Sequence, residues 1–475
     1  MARINTNVAS LIAQRGLQQS QQALGVSLER LSTGLKINSG ADDPAGLIAS
    51  ENLKSEIAGI SQGIDNSTQA SNVLSTADGA LNEVSALLLT IQGLTVQAAN
   101  SGAESPDEIA ANQLQVDSAV ESITRIANTT TFAGQQLING NLGYVTSGVD
   151  TSKIDALTIA QADFGTSPTV PVNVDVLASA RVADLQYTAS TVGTSVTLEI
   201  TGNVGAQTLT FTSGTTASAI AYAVNSISDS TGVSAALTKA GSLASGLTFK
   251  SLGYGSSNFV SVTAQSGSFS TVDANGNSKT RTVGQNAVAT INGALTTGDG
   301  LELHANTNSL DLDLTLDKSV GLGNTSFTIT GGGALFQLGP DVTSGQQVSI
   351  GIQSVAASAL GDSTVGYLND IVTGGNATLV GGQAAAASQI VNAAIQQVSD
   401  LRGRLGAFET NTLDSNVNSL NVALENVTSS ESDIADADFA AETSNLTRAQ
   451  ILTQAGTSVL ATANSTPQEV LKLLS

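Results

Sequence analysis

Apolar residues divide the chain into three zones. From residue 1 to about 140, and again from about 384 to 475, Leu, Ile, Val and Ala recur every three or four residues among Gln, Asn and Ser, the period of a helix with one buried face. Between them, from about 145 to 335, short alternating runs rich in Thr, Ser and Val are broken by Gly and Asn, the signature of strands and turns. The pattern predicts an α+β chain whose long terminal helices pair as a coiled coil or bundle around a β-rich middle.

Leu17, Leu24, Leu28, Leu31 and Leu35 are spaced by 7, 4, 3 and 4 residues, a heptad seam that seeks a partner helix, and Gly34 with Asn38-Ser39-Gly40 stops it. Asp43 then reads as an N-cap with Pro44 at the first helical position. The second helix should run to about Asn100, with Ile60, Leu74, Leu81 and Leu88 in one heptad position and Ser67 as a polar gap. Ser105-Pro106-Asp107-Glu108 is a capping box that opens a third helix carrying Val116, Val120 and Ile123. In the last zone Val391, Ala394, Val398, Leu401, Leu405 and Phe408 step by three or four, and Val417, Leu420, Leu424 and Val427 resume after a phase slip. Asp436 and Asp438 suit the start of a final helix. Thr466-Pro467-Gln468-Glu469 reads as one more cap, opening a last turn from Val470 to Leu474. In the middle, alternation at Val196, Leu198 and Ile200, helical spacing at Ile220, Ala223, Val224 and Ile227, and renewed alternation at Leu310, Leu312, Leu314 and Leu316 predict two small antiparallel modules, the first with one helix.

Composition narrows the chemistry. Lys+Arg number 17 against 39 Asp+Glu, a net charge of -22, which repels nucleic acid and anionic membrane surfaces. There is no Cys and a single His, so thiol nucleophiles, disulfides, thiolate metal sites and two-His metal centres are excluded within one chain. His304, in Leu301-Glu302-Leu303-His304, reads as a strand residue. Asp311, Asp313 and Asp317 lack the glycine and spacing of a calcium loop. Gly253-Tyr254-Gly255 and Gly331-Gly332-Gly333 lack the Lys-Ser/Thr pair of a phosphate cradle and read as turns. No catalytic residue, metal or cofactor is expected. No cleaved-signal core stands in Met1 to Asn7 and no run of about 18 apolar residues occurs, so neither a cleaved signal peptide nor a membrane span is expected.

The ends are poor in charge. Ala449 to Gln468 carries none, and Ile4 to Leu28 only Arg15. A helix without a charged face is expected to be buried all round, and the chain offers too few other helices to do this. Other copies of the same chain are the expected cover, which makes Leu17, Leu24, Leu28, Leu31, Leu35, Leu452, Val459 and Leu460 candidate self-assembly residues.

These residues together resemble bacterial flagellins. The matching stretches are Arg3-Ile4-Asn5-Thr6-Asn7, the run ALGVSLERLSTGLKINSGADDPAG from Ala23 to Gly46, Gly79 to Val84, and Leu94 to Asn100. At the other end they are Asp436 to Ala440, Ser444 to Leu452, and QAGTSVLATANSTPQEVLKLL from Gln454 to Leu474. The resemblance implies an inner coiled-coil domain from 1–43 with 433–475, a helical rod from 44–144 with 336–432 that holds a small β element at Phe336 to Gly339 and Val348 to Ile352, and a variable outer part at 145–335. Residues 195–264 resemble an insertion module of some flagellins and hook proteins. It implies a structural, non-enzymatic filament subunit for motility, with a hook-filament junction protein as the alternative. Extracellular location, export through the flagellum's own apparatus, a chaperone on the C-terminal helix, and cap and hook-associated partners follow from the same likeness. In the family's Toll-like receptor motif, aligned with Leu88 to Gln97, an arginine and a glutamate correspond to Thr90 and Gly93, so weak receptor activation is expected.

Overall fold

The computed structural model describes residues 6–100, 102–239, 246–307 and 309–474, the last eight by backbone alone. Among these, the helices in chain order are α1 (Val8–Thr33), α2 (Pro44–Ala99), α3 (Pro106–Thr129), α4 (Ala217–Asn225), α5 (Ser228–Thr231), α6 (Ala384–Phe408), α7 (Ser415–Ala435) and α8 (Phe439–Leu474). The chain forms two compact units. One holds residues 1–69, 337–342 and 412–475, the other residues 70–336 and 343–411.

In the first unit α1 and α8 run antiparallel. Gly34 ends α1 in the left-handed region, φ 77°, with its amide on the Arg30 carbonyl. Immediately beyond, Leu35 bridges Asp436, Lys36 N–H donates to the Ala435 carbonyl (2.7 Å) and Ala437 N–H to the Gly34 carbonyl (2.9 Å), so the two chain segments enter and leave the helix pair together. Asp43 accepts from the Gly46 amide at 3.0 Å at the head of α2, and Asp438 accepts from the Ala440 and Ala441 amides at the head of α8. Segment 337–342 lies along α2 where two glycines leave room: a Cβ on Gly59 would come within 2.8 Å of Pro340 Cβ, and one on Gly63 within 3.0 Å of the Leu338 carbonyl. The polar gap at Ser67 is buried and satisfied. Its hydroxyl donates to the Gly63 carbonyl and accepts from Asn416.

The phase slip between Phe408 and Val417 is a π-helical turn, Glu409–Asp414, that joins α6 to α7. Its wider i→i+5 bonding holds an extra residue and re-aims the apolar stripe.

In the second unit, α2 from Ala70 onward, α3 and α6 bury Leu74, Leu81, Leu88, Val116, Ile123, Val391, Val398 and Leu405, and α6 is tied to α2 by Arg402 donating to Asp78 (2.8 Å) and Gln92 donating to Asn392 (2.6 Å). α2 also contains an 18-residue window of mean hydropathy 1.2, long and apolar enough by composition to cross a membrane, with a third of that window buried inside the fold. Ser105 caps α3 in a closed capping box, its hydroxyl accepting from the Glu108 amide while the Glu108 carboxylate accepts from the Ser105 amide. Two β-rich cores follow. One is built from strands Val182–Tyr187, Val196–Thr201, Leu247–Tyr254 and Phe259–Ser266 with α4, around Phe249, Leu185, Leu198 and Ile220 and a stacked Tyr187–Phe269 pair. The other joins strands from both sides of it: Val170–Ala178 pairs with Gly323–Gly332, and Ile154–Ala162 with Leu310–Leu316. Strands Ala334–Gln337 and Gln347–Ile350 pair as a separate two-stranded sheet.

Candidate assembly surface

The α1–α8 seam follows strict heptad steps. On α1 the inward, half-buried or buried positions are Ser10, Ala13, Leu17, Ser20, Leu24, Ser27 and Leu31; on α8 they are Glu442, Leu446, Ala449, Thr453, Gly456, Leu460 and Ala463. Small residues between the leucines let the backbones approach, and Gly456 lies against Leu17, 3.6 Å from its Cβ to the place where a side chain would begin. Three polar groups interrupt the seam near the Gly34 end. Ser27 donates to Glu442 at 2.5 Å and Arg30 Nη1 lies 3.7 Å from the same carboxylate, while Glu442 is only 7% exposed. At the opposite end, Asn7 donates to the Ala463 carbonyl and Ser10 to the Asn464 side chain, each at 2.7 Å.

This geometry sorts the predicted assembly residues into two faces. Leu17, Leu24, Leu31 and Leu460 belong to the inward seam, and Leu35 sits in the bridge beyond it. Leu28 does not belong to the seam, because the inward step from Leu24 falls on Ser27, three residues on, and then on Leu31. It stands 51% exposed, as do Leu452 at 50% and Val459 at 56%. Val8, Leu11, Ile12, Val26, Phe439 and Ile451 join them on outward positions. Sequence reading missed these six, although apolar residues on more than one face of a charge-poor helix were the available signal.

The cap read at Thr466 is corrected. α8 runs unbroken to Leu474, and the Thr466 hydroxyl donates back to the Thr462 carbonyl at 2.8 Å as an interior residue does. The Pro467 side chain lies outside the described residues, but its ring nitrogen has no proton to give. The carbonyl four residues earlier is therefore left free, and that carbonyl, Ala463, is the one Asn7 satisfies.

In the second unit, Thr90 is exposed and its hydroxyl donates to the Ala86 carbonyl at 2.9 Å, and among the described residues Gly93 has nothing within 4 Å of its missing side chain. Leu89 and Val96 are exposed on the same stretch of α2. His304 lies in strand Glu302–Asn306 opposite Asp313 and contacts its carboxylate at 2.5 Å, both side chains half exposed. Burial, and then the nearby Asp299, Asp313, Asp362 and Asp400, raise the Glu302 carboxyl above the usual glutamate range; burial likewise raises Asp311. Among the described residues no three His, Cys, Asp or Glu side chains converge as metal ligands.

Comparison with known proteins agrees with the arrangement of the ends. Residues 4–142 match the bacterial flagellin N-terminal helical region, 388–474 the bacterial flagellin C-terminal helical region, and 197–253 the flagellin hook IN motif. A flagellin of Salmonella rubislaw is 31% identical over 99% of both chains, and the B-type flagellin of Pseudomonas aeruginosa is 31% identical over 99% of both. Among solved structures, the D2-D3 domains of the Escherichia coli flagellar cap protein align with 40% of this chain and 100% of theirs at 21% identity and a TM-score of 0.29, too slight a likeness to bear on fold or role. Helical ends that match family regions in order, with relatives that span almost the whole chain, make it a member of the flagellin family.

Proposed function

We propose that the outward faces of α1 and α8 are the surfaces through which this flagellin polymerises into the extracellular bacterial flagellar filament. As a flagellin it is a structural subunit for motility, and a hook-filament junction role is less supported, since flagellins match it over 99% of its length. The observation that carries the assembly reading is the set of large apolar side chains left exposed on α1 and α8, several of them in the charge-poor stretches Ile4 to Leu28 and Ala449 to Gln468. Such faces cost free energy in water and suit burial by neighbouring copies. The chain has no catalytic role in this reading. It leaves the cell through the flagellar export apparatus, held beforehand at α8 by a chaperone, and meets cap and hook-associated proteins at the filament ends. Thr90 and Gly93 cannot supply the charged bonds of the receptor motif, which fits weak Toll-like receptor activation.

Leu28→Asp tests the surface. A carboxylate placed in a dry subunit contact costs on the order of several kcal/mol, so this variant should remain a helical, soluble monomer by circular dichroism yet fail to extend filament seeds. Filaments of normal length from it would mean that the outward face of α1 is not an assembly surface.

A further inference from the structure

The leucines of the α1–α8 seam do not by themselves fix how far one helix is slid along the other. Leu17, Leu24 and Leu31 are seven residues apart, and on α8 Ala449, Gly456 and Ala463 repeat at the same interval, while Leu446 and Leu460 stand two such intervals apart. A slip of one heptad, about 10 Å along the axis, would therefore keep the α1 leucines in line and bring a small residue to where a small residue was. Apolar burial distinguishes these alignments weakly. The polar groups at the two ends distinguish them strongly.

We infer that the register of α1 on α8 is set by two polar latches, Ser27 and Arg30 on Glu442 at one end and Asn7 on the Ala463 carbonyl at the other. A one-heptad slip carries Glu442 from Ser27 and Arg30 to Ser20 and Ala23, or to Gly34 and Ile37. Either way a buried carboxylate loses its cation, and the second direction also takes away its hydroxyl donor. Arg30 is left no better, since Nε is already buried without a partner. At the far end Pro467 makes Ala463 the carbonyl that the helix itself cannot satisfy. A slip brings Asn7 to Gly456 or Val470, and the Gly456 carbonyl is already bonded within the helix. Single buried polar groups that fix alignment at some cost in stability are well known in coiled coils. The latches face inward and are separate from the outward strip assigned to polymerisation.

The chain has no cysteine, so introduced pairs report alignment directly. Leu17→Cys with Gly456→Cys marks the observed register; Leu17→Cys with Ala449→Cys or with Ala463→Cys marks a slip in either direction. Each pair is placed in the full chain, assembled on seeds, oxidised and read as crosslinked fraction, and the soluble chain is read in the same way where a variant does not assemble. With the latches intact only the pair at positions 17 and 456 should close. Asn7→Ala combined with Glu442→Leu should raise the slipped pairs about tenfold or more, as expected for loss of buried bonds to a charged group. The exchange Arg30→Glu with Glu442→Arg should return the chain to one register. Slipped fractions that stay unchanged in the latch-free chain overturn the inference. Loss of all three crosslinks overturns it too, because the polar groups would then be needed for pairing itself and not for its alignment. Leu28→Asp, which should block assembly, leaves the crosslink pattern unchanged, so the two ideas fail separately.

Discussion

Glu302 is a residue whose charged form the fold opposes. It is held above the ordinary glutamate range first by burial and then by Asp299, Asp313, Asp362 and Asp400. A carboxyl raised in the folded state contributes stability that is fully present below its unfolded value, about 4.3, and lost as pH rises through the folded one. Ionised Glu302 therefore weakens the second unit at neutral pH. Glu302→Gln should raise the melting temperature at pH 7 and change it little near pH 4, read by thermal circular dichroism at both; an equal gain at the two pH values would assign the effect to something other than charge. Single residues also show where sequence reading stops. Leu24 and Leu28 are four apart and both fit a helical stripe, and nothing local says that Ser27, a polar residue, takes the inward place instead. Ser20 and Ser27 became seam residues only when their partners were known, because a serine in a seam looks the same in sequence as a serine in water.

Elements were more legible than contacts. Ser105 and Glu108 satisfy each other locally, so the start of α3 could be read from four residues, and Ser105→Ala should cost about 1 kcal/mol, measurable as a lower denaturant midpoint for loss of helix. A midpoint that does not move would mean that tertiary packing alone holds that end. Thr466-Pro467-Gln468-Glu469 spells the same code and yet lies inside α8, since a donor 456 residues away from the Ala463 carbonyl, Asn7, removes the penalty that would have broken the helix there. The difference between the two sites is not in either tetrapeptide. The slip after Phe408 was visible as a change of phase, and its cause, the π turn Glu409–Asp414, was not, because period alone does not distinguish an inserted residue from a loop. Alternation located most strands of the middle zone. It could not pair Val170–Ala178 with Gly323–Gly332 across the intervening module, since pairing at that distance depends on which faces meet.

At the scale of the whole molecule, charge and assembly oppose each other. Copies that each carry -22 must be brought into close contact, and their repulsion is long-ranged at low salt, where the Debye length is about 30 Å at 0.01 M, but falls to about 8 Å at 0.15 M. Seeded elongation followed by light scattering should therefore quicken over that range of salt; a rate that falls would show that oppositely charged patches guide the encounter. The bond from Asn7 to Ala463 has a further meaning in time. The helix pair joins segments as far as 456 residues apart, so a ribosome must translate all that lies between them before α1 has its mate. Closing so long a loop costs only slightly more than closing a shorter one, but it cannot happen early. Until then α1 lacks its template, and a product cut short before Glu442 has no means of setting its alignment. Alignment of the pair thus waits on synthesis through α8, a delay set by connectivity alone.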